Sequence, residues 1–307
     1  MNTLREALQE YLQLRHVLGF KLEREGVLLP QFVSFLEQEG ATHITSSLAM
    51  RWAMTPSTAS PRWWAERLGE VRLFARFMAA QDPDTEVPAR DLLPRWRSRR
   101  LVPFVYSDAD LIALMRATDI FDGVKQATYA TLLGLLAVTG MRVGEAIGLD
   151  RDDLNCRAQL LVIRAGKFGK SRELALDPTT VEALRAYGRL RDRALPHPRS
   201  PALLLSLAGT RLLYKNVQRG FSQLLRRAVL PQRLPRTPRL HDFRHAYAIK
   251  TLIRWYREGL NVEARLPLLS TYLGHVNPSQ TYWYLTATPE MMRLAERRAR
   301  TALRGRP

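Results

Sequence analysis

The sequence predicts a mainly α-helical protein with one small β-sheet, organised as two domains. Apolar residues recur at helical spacing through most of the chain, which favours helices over strands. Two short β-type segments flank a Gly-Lys turn and indicate a hairpin. A proline-rich stretch at 82–103 separates two series of helices and has the composition of a linker. The 307 residues are enough for two domains that each bury a core.

The first domain, residues 1–97 with a linker to about 103, is predicted to be a compact four-helix domain. Gly40 ends the second helix, and Ser60 followed by Pro61 begins the fourth, because these residue types are favoured at those helix termini. Apolar residues fall on one face of each helix and would form a shared core. The predicted helices span about 4–18, 24–39, 45–52 and 60–78.

The second domain, residues 104–307, is predicted to be mostly helical with one hairpin. Ser107 and Asp108 cap its first helix, and a long apolar helix follows. The hairpin strands are predicted at 159–164 and 172–176. The predicted helices span about 107–115, 124–138, 178–193, 214–229, 241–258, 263–273, 278–285 and 290–303.

The net charge of +18 is carried entirely by the second part of the chain. Residues 1–97 contain 12 Lys+Arg against 12 Asp+Glu, whereas residues 98–307 contain 35 against 17. A region this basic attracts a polyanion, and counterion release favours a nucleic acid. A genome rich in G and C would explain why only six of the 47 basic residues are lysines, but not this asymmetry. In the neutral first domain, the arginines of the fourth helix either form a segregated DNA-binding face or only solvate that helix: Arg62, Arg67, Arg72 and Arg76.

Composition disfavours several classes of protein. Cys156 is the single cysteine, which excludes an intramolecular disulfide and disfavours a cysteine-based zinc cluster. No run approaches the roughly 18 to 20 apolar residues of a membrane span, and acidic residues within the first ten positions argue against a signal peptide. We therefore expect a cytoplasmic, nucleoid-associated protein without a membrane partner.

Three motifs hold residues that suit phosphate chemistry. Arg142 follows Thr-Gly and precedes Glu145 by one helical turn, so the carboxylate can hold a guanidinium that grips two phosphate oxygens. His241 and Arg244 lie three apart on one face near a helix N-terminus, where anions bind. His275 ends a Leu-Gly-His motif and is a third candidate for phosphate contact, although a lone histidine is often a packed core residue.

Tyrosines and lysines supply the other groups that strand cleavage needs. A phenol has a pKa near 10, so a tyrosine nucleophile needs arginines to stabilise negative charge and a base to accept its proton. The candidates are Tyr272, Tyr282 and Tyr284. Lys167, in the turn between the two strands, can donate a proton to the leaving 5′ oxygen. Lys170 is the alternative donor, and either lysine could instead contact the DNA backbone.

The histidines also permit a metal site, which the sequence disfavours. His241 and His245 lie four apart and could bind zinc together with His275. However, Arg244 would lie beside the cation, and no further carboxylate or cysteine is spaced to complete the ligand set. We therefore expect neither a metal ion nor another cofactor.

The ordered motifs of residues 139–284 resemble those of the tyrosine recombinase family, which includes lambda integrase, Xer and Cre. Family spacing favours Tyr284 as the nucleophile, and His245 matches a supporting residue. Phe168 and Ala246 depart from the residues that are usual in the family. The resemblance implies a catalytic set of six residues: Arg142, Lys167, His241, Arg244, His275 and Tyr284.

The resemblance also implies a mechanism and an architecture. The two domains would form a C-shaped clamp on double-stranded DNA with inverted-repeat core sites, the first acting as the core-binding domain. Tyrosine attack would give a 3′-phosphotyrosyl link and a free 5′ hydroxyl without metal or ATP, in a homo- or hetero-tetramer of protomers. The helix at 290–303 would dock on a neighbouring protomer or pack on its own domain.

The spacing of the motifs bears on the kind of recombinase. The wide spacing of Arg244 and His275 resembles recombinases of transposons and other mobile elements, which carry out integration or excision. A type IB topoisomerase uses similar residues to relax supercoils, and a non-catalytic DNA-binding regulator would keep the motifs without the chemistry. Both are retained as alternatives.

Overall fold

The computed structural model describes residues 3–93, 103–164, 171–228, 230, 237–275, 277, 279–286 and 288–304. The chain divides into two compact units, Met1–Leu101 and Val102–Pro307. The predicted fold class is confirmed, because helices dominate both units and a small antiparallel sheet lies in the second. Among the described residues, no helix combines the length and apolarity needed to cross a membrane.

The first unit contains four helices, α1 (Leu4–Val17), α2 (Glu25–Gln38), α3 (Ser46–Met54) and α4 (Pro61–Met78). Three of these helices, α1, α3 and α4, have an N-cap residue with a side-chain hydroxyl. Thr3, Thr45 and Ser60 each accept a hydrogen bond from a backbone N–H of the first turn. The apolar faces meet in one core that includes Phe32 and Phe74, neither of which is exposed to solvent.

The arginines of α4 do not form one exposed basic face. Arg67 is buried, its Nη2 donates to the Trp52 carbonyl at 2.9 Å, and its guanidinium carbon lies 3.7 Å from the Trp52 ring centroid. Arg72 donates to two backbone carbonyls at 2.7 and 2.8 Å. Neither alternative, DNA contact or solvation of the helix, holds for the buried Arg67, whereas Arg62 and Arg76 are exposed on the helix surface.

The second unit contains nine helices and three strands within its described residues. The strands β1 (Leu154–Asn155), β2 (Leu160–Ile163) and β3 (Arg172–Ala175) form an antiparallel sheet in the order β1-β2-β3, with Leu161 opposite Leu174. The helices are α5 (Asp108–Arg116), α6 (Gly123–Thr139), α7 (Val143–Gly148), α8 (Pro178–Ala194), α9 (Tyr214–Ala228), α10 (His241–Arg257), α11 (Val262–Leu273), α12 (Ser279–Tyr282) and α13 (Pro289–Arg304).

Helix α6 lies in the core of the second unit. It packs against α8 and α10, and its Leu132 and Leu136 have no solvent exposure. Leu161 and Leu174 of the sheet and Phe243 of α10 belong to the same apolar cluster. This packing fixes the end of α6 and the start of α10, next to which lie three of the predicted site residues, Arg142, His241 and Arg244.

Three short elements differ from the sequence-based expectation. The six-residue α7 and the two-residue β1 are absent from the predicted helices and strands, because neither is long enough to show a hydrophobic period, although the spacing of Arg142 and Glu145 implies a helical turn. The helix predicted at 278–285 is instead the single turn α12 followed by a 3₁₀ turn, Trp283–Thr286.

The first turns of α13 pack on their own unit. Met291 is fully buried in a cluster with residues of α10 and α11, and Arg257 of α10 pairs with Glu290 at 2.6 Å. Arg298, further along, donates to the Leu260 carbonyl. Of the two placements expected for this helix, packing on its own domain is the one that the structure shows for these residues.

Candidate active site

Arg142 lies at the junction of α6 and α7. Gly140 ends α6 in the left-handed region at φ 61°, where a Cβ would also meet the Tyr247 ring at 2.6 Å. Arg142 then caps α7 together with Glu145, whose carboxylate accepts the Arg142 backbone N–H and an Nη1 hydrogen, each at 2.8 Å. The carboxylate predicted to hold the guanidinium therefore does so from the first turn of α7.

Glu145 has a second arginine partner that sequence reasoning missed. Arg172, the first residue of β3, donates from Nη2 to one oxygen of Glu145 at 2.8 Å and from Nη1 to the other at 3.1 Å. Burial acts to raise the pKa of Glu145, but hydrogen bonds from Arg172 and Arg142 outweigh it and lower the pKa below its usual value. The carboxylate is thus charged between two guanidinium groups.

Arg244 lies on the first turn of α10 and is almost fully buried. Its Nη1 donates to the Gly140 carbonyl at 3.0 Å and its Nη2 to the Leu273 carbonyl at 2.5 Å. Burial, and then the charge of Arg142, lowers the pKa of Arg244 to about 10, so it stays protonated at neutral pH.

The two predicted phosphate-binding arginines lie side by side. Arg142 Nη2 donates to the Gly274 carbonyl at 3.0 Å, next in the chain to the Leu273 carbonyl that Arg244 contacts. The Arg142 side chain is 23% exposed, whereas Arg244 is 2% exposed. An anion that reaches this pair therefore meets Arg142 first.

His241 and His275 lie close to this arginine pair. His241 is the first residue of α10, and burial of its imidazole, followed by the charge of Arg244, lowers its pKa. His275 follows Gly274, and its Nδ1 lies 2.7 Å from the Thr281 hydroxyl. Burial, followed by the charges of Arg244 and Arg142, lowers the pKa of His275 to about 3, so both imidazoles are neutral at pH 7.

Tyr284 lies in the 3₁₀ turn after α12 and joins the histidines. Its side chain is 2% exposed, and its hydroxyl lies 2.9 Å from Nδ1 of His245. The Tyr284 ring also stacks on His275, with ring centroids 6.3 Å apart. His245 therefore forms a hydrogen bond with the candidate nucleophile. In the sequence it matches only a supporting residue of the family.

The alternative tyrosines lie elsewhere. Tyr282 is 49% exposed at the end of α12. Tyr272 stacks on Tyr247, with ring centroids 5.6 Å apart, and burial raises its pKa, which makes it a poorer nucleophile. Tyr284 is the tyrosine that the fold places among the histidines and arginines.

Five of the six predicted site residues come together, namely Arg142, His241, Arg244, His275 and Tyr284. Lys167 lies outside the described residues, and so does its alternative, Lys170. Across the described part of the chain, no group of three or more His, Cys, Asp or Glu side chains is arranged to hold a metal ion. The cluster thus combines two cations, neutral imidazoles and a phenol, a set suited to charge stabilisation and proton transfer.

Comparison with known proteins adds family-level information. A model of the phage integrase family matches residues 107–291. The chain is 44% identical over 306 residues to a Sinorhizobium fredii (strain NBRC 101917 / NGR234) protein named as an integrase/recombinase, y4rB, covering 97% of both chains. It is 30% identical to the tyrosine recombinase XerC of Chlamydia muridarum (strain MoPn / Nigg), covering 74% of this chain and 68% of that protein.

Two solved structures share the fold. The Tn1549 transposon integrase in complex with a circular intermediate DNA gives a TM-score of 0.66 at 18% identity and covers 97% of this chain and 100% of that one. The XerH site-specific recombinase bound to its palindromic difH substrate gives 0.65 at 16% identity, covering 88% and 77%.

Proposed function

The chain belongs to the phage integrase family of site-specific tyrosine recombinases, and we propose that it cleaves and rejoins DNA through a 3′-phosphotyrosyl intermediate at Tyr284. One observation carries the proposal. The hydroxyl of Tyr284 lies within a cluster of histidines beside two arginines, although these residues come from four separate segments of the chain.

The side chains of the cluster supply the parts of a transesterification. The Tyr284 oxygen attacks phosphorus and forms the phosphotyrosyl bond, while the bond to the 5′ oxygen breaks. Arg142 and Arg244 stabilise the negative charge that develops on the phosphate oxygens. The neutral His241 and His275 donate or accept hydrogen bonds there, and the phenolic proton passes to a neighbouring base.

Lys167 is the proposed donor of the proton that the leaving 5′ oxygen takes up, by resemblance to the family alone. The reverse attack, by the 5′ hydroxyl of a partner strand, restores the tyrosine and rejoins DNA. Because one ester replaces another at each step, neither ATP nor a metal ion is part of the proposal.

The buried position of Tyr284 imposes one condition on this chemistry. A phosphate of duplex DNA cannot reach a side chain that is 2% exposed. The segment 279–286, which carries Tyr284 on a single helical turn and a 3₁₀ turn, must therefore shift before attack. Short elements of this kind open at low free-energy cost compared with the long helices.

The wider biological role belongs to the same proposal. The charge of residues 98–307 supports double-stranded DNA as the partner, with the two units closing on it as a clamp and protomers assembling as a tetramer on inverted-repeat core sites. The relative named as an integrase/recombinase and the fold shared with a transposon integrase favour integration or excision of a mobile element.

Covalent trapping tests the proposal. Nicked duplexes tiled over the DNA that flanks the gene would be incubated with wild type, Tyr284→Phe and the control Tyr282→Phe, in EDTA. We expect a denaturation-resistant, protease-sensitive protein–DNA band for wild type and Tyr282→Phe, and none for Tyr284→Phe. A band that persists in Tyr284→Phe would refute the assignment of the nucleophile.

Relaxation of a supercoiled plasmid without strand exchange, by a protein that still gives the covalent band, would indicate a topoisomerase. DNA binding without a band on any duplex would indicate a binding protein.

A further inference from the structure

Arg172, at the start of a short strand, is nearly buried, and its guanidinium is used in hydrogen bonds to the protein. Its side chain is 12% exposed, and each of its three guanidinium nitrogens donates to a fixed acceptor. Nη1 and Nη2 reach the two oxygens of Glu145, and Nε reaches the Tyr272 carbonyl at 2.8 Å. A guanidinium bound in this way is positioned by protein groups and is not presented to solvent.

These contacts close a ring through the site. Glu145 holds Arg142, Arg142 Nη2 donates to Gly274, and Arg172 donates to Tyr272 two residues before Gly274. A Cβ on Gly274 would lie 2.7 Å from Nη1 of Arg172, so the guanidinium packs directly on that glycine. Arg172 therefore ties α7, which follows Arg142, to the end of α11, which precedes His275.

The ring also determines how Glu145 binds Arg142. Among the described contacts, the Arg142 guanidinium reaches Glu145 through Nη1 alone, since its Nη2 donates to the Gly274 carbonyl, while Arg172 donates to both carboxylate oxygens. Without Arg172, Glu145 would pair with Arg142 alone and would offset its positive charge. With Arg172, the group of two arginines and one glutamate keeps a net positive charge beside the phosphate site.

We infer that Arg172 is a positioning residue for strand cleavage, which orients Glu145 and the segment 272–275 so that Arg142 and His275 face one phosphate. It does so without touching DNA. The inference rests on the proposed function, because it concerns the same cleavage step.

The test compares Arg172→Lys with wild type in single-turnover covalent-complex formation on a duplex that wild type cleaves. Lysine keeps the charge but cannot reach three acceptors. We expect cleavage to slow by about 10- to 100-fold, as for a small misplacement of a reacting group, with DNA affinity unchanged. Arg172→Gln, which also removes the charge and should therefore slow cleavage at least as much, is the second variant if the lysine variant does not fold.

Arg211→Lys is the matched control. Arg211 also joins a carboxylate, Asp150, to backbone carbonyls, those of Ile147 and Leu149, but it does so at the far end of α7. We expect Arg211→Lys to cleave at the wild-type rate.

Two readouts separate positioning from mere support of the fold. On a duplex with a neutral methylphosphonate at the scissile position, which needs less positive charge, we expect the Arg172→Lys defect to shrink. In a Glu145→Gln background, Arg172→Lys should add little further loss, because the two residues act as a unit.

Wild-type cleavage by Arg172→Lys would overturn the inference, and so would loss of DNA affinity in step with cleavage. A defect that is equal on both substrates and additive with Glu145→Gln would overturn it too. If wild type itself forms no covalent complex, the proposed function fails and the inference fails with it.

Discussion

The two halves of the site are held together by different kinds of contact. The arginine half, defined as Arg142, Glu145, Arg172 and Arg244, is fixed by ion pairs and by hydrogen bonds to the carbonyls of residues 140 and 272–274. The tyrosine half, residues 279–286 with His245, is held by ring contacts, by hydrogen bonds of single side chains and by apolar packing of Tyr284 with residues of α10, α11 and α13. The first half joins residues at the ends of α6, α10 and α11 to α7 and β3, whereas the second half consists of one helical turn, a 3₁₀ turn and His245 of α10.

This difference indicates which part of the site is built in advance. Charge-assisted hydrogen bonds to fixed acceptors leave little to reorganise when a phosphate arrives, which is the condition for strong transition-state stabilisation. A single helical turn has few internal hydrogen bonds to lose, so it can move at low cost. In the proposed reaction, charge stabilisation is therefore preorganised and the nucleophile is the moving part.

The largest combined effect on cleavage and stability is expected from Arg244→Lys in the arginine half. Arg244→Lys should slow cleavage by about 10²- to 10³-fold, the usual cost of one lost transition-state donor. It should also lower the free energy of unfolding by about 1–3 kcal/mol, because an ammonium cannot reach both the Gly140 and Leu273 carbonyls and leaves one buried without its donor.

Tyr284→Phe is the matched change in the tyrosine half. It should abolish the covalent product but lower the free energy of unfolding by less than Arg244→Lys does, because the ring is kept and the hydrogen bond to His245 joins neutral groups, a kind worth about 1 kcal/mol. Urea unfolding of both variants measures the difference. Equal stability losses would show that the arginine half is not the more firmly fixed of the two.

The sequence predicted the long elements of this fold because they are periodic. Helices α6 and α10 begin and end within two residues of their predicted bounds. Arg67 shows where periodicity stops being informative. A helical pattern gives the direction of the Cα–Cβ bond, whereas the long arginine side chain turns back over the Trp52 ring.

The site was less predictable than the fold. Family motifs named Arg142, His241, Arg244, His275 and Tyr284, and their spacing required no knowledge of tertiary structure. Arg172 could not be found in this way, because its partners lie 27 residues before it and 100 residues after it, in other elements. The sequence also did not predict the bounds of the short α7 and the 3₁₀ turn. Their conformation is set by packing and capping rather than by a hydrophobic period.

A smaller effect is expected from a methyl group placed in the arginine half. Gly274 and Gly259 have nearly the same backbone, at φ 67° and 70°, so alanine should cost each about 1–2 kcal/mol of strain. Only at Gly274 does the new Cβ meet Arg172; at Gly259 it meets nothing within 4 Å. Gly274→Ala should therefore slow cleavage about 10-fold through misplacement of the site, and Gly259→Ala should leave the rate unchanged. Thermal unfolding and covalent-complex formation measure the two effects, and equal cleavage rates would contradict a rigid arginine half.

The smallest effect concerns His275, where the two halves meet. In the folded protein its pKa is about 3, because burial and the charges of Arg244 and Arg142 oppose protonation, and His241 and His245 add to this. An unfolded histidine has a pKa near 6.5. Below that value the unfolded chain binds a proton that the folded chain excludes, so this contribution lowers stability as the pH falls from about 6.5 towards 3 and is absent above that range.

Replacing His275 with glutamine removes this dependence. Between pH 7 and pH 5, His275→Gln should lose less stability than wild type, by less than about 1.4 kcal/mol per pH unit, which is the limit for one proton. Solvent screening at a partly exposed ring reduces the difference further. Urea unfolding at pH 5, 6 and 7 measures these slopes. Parallel slopes for His275→Gln and wild type would mean that His275 is not held neutral by the arginine half, and that the two halves are electrostatically independent.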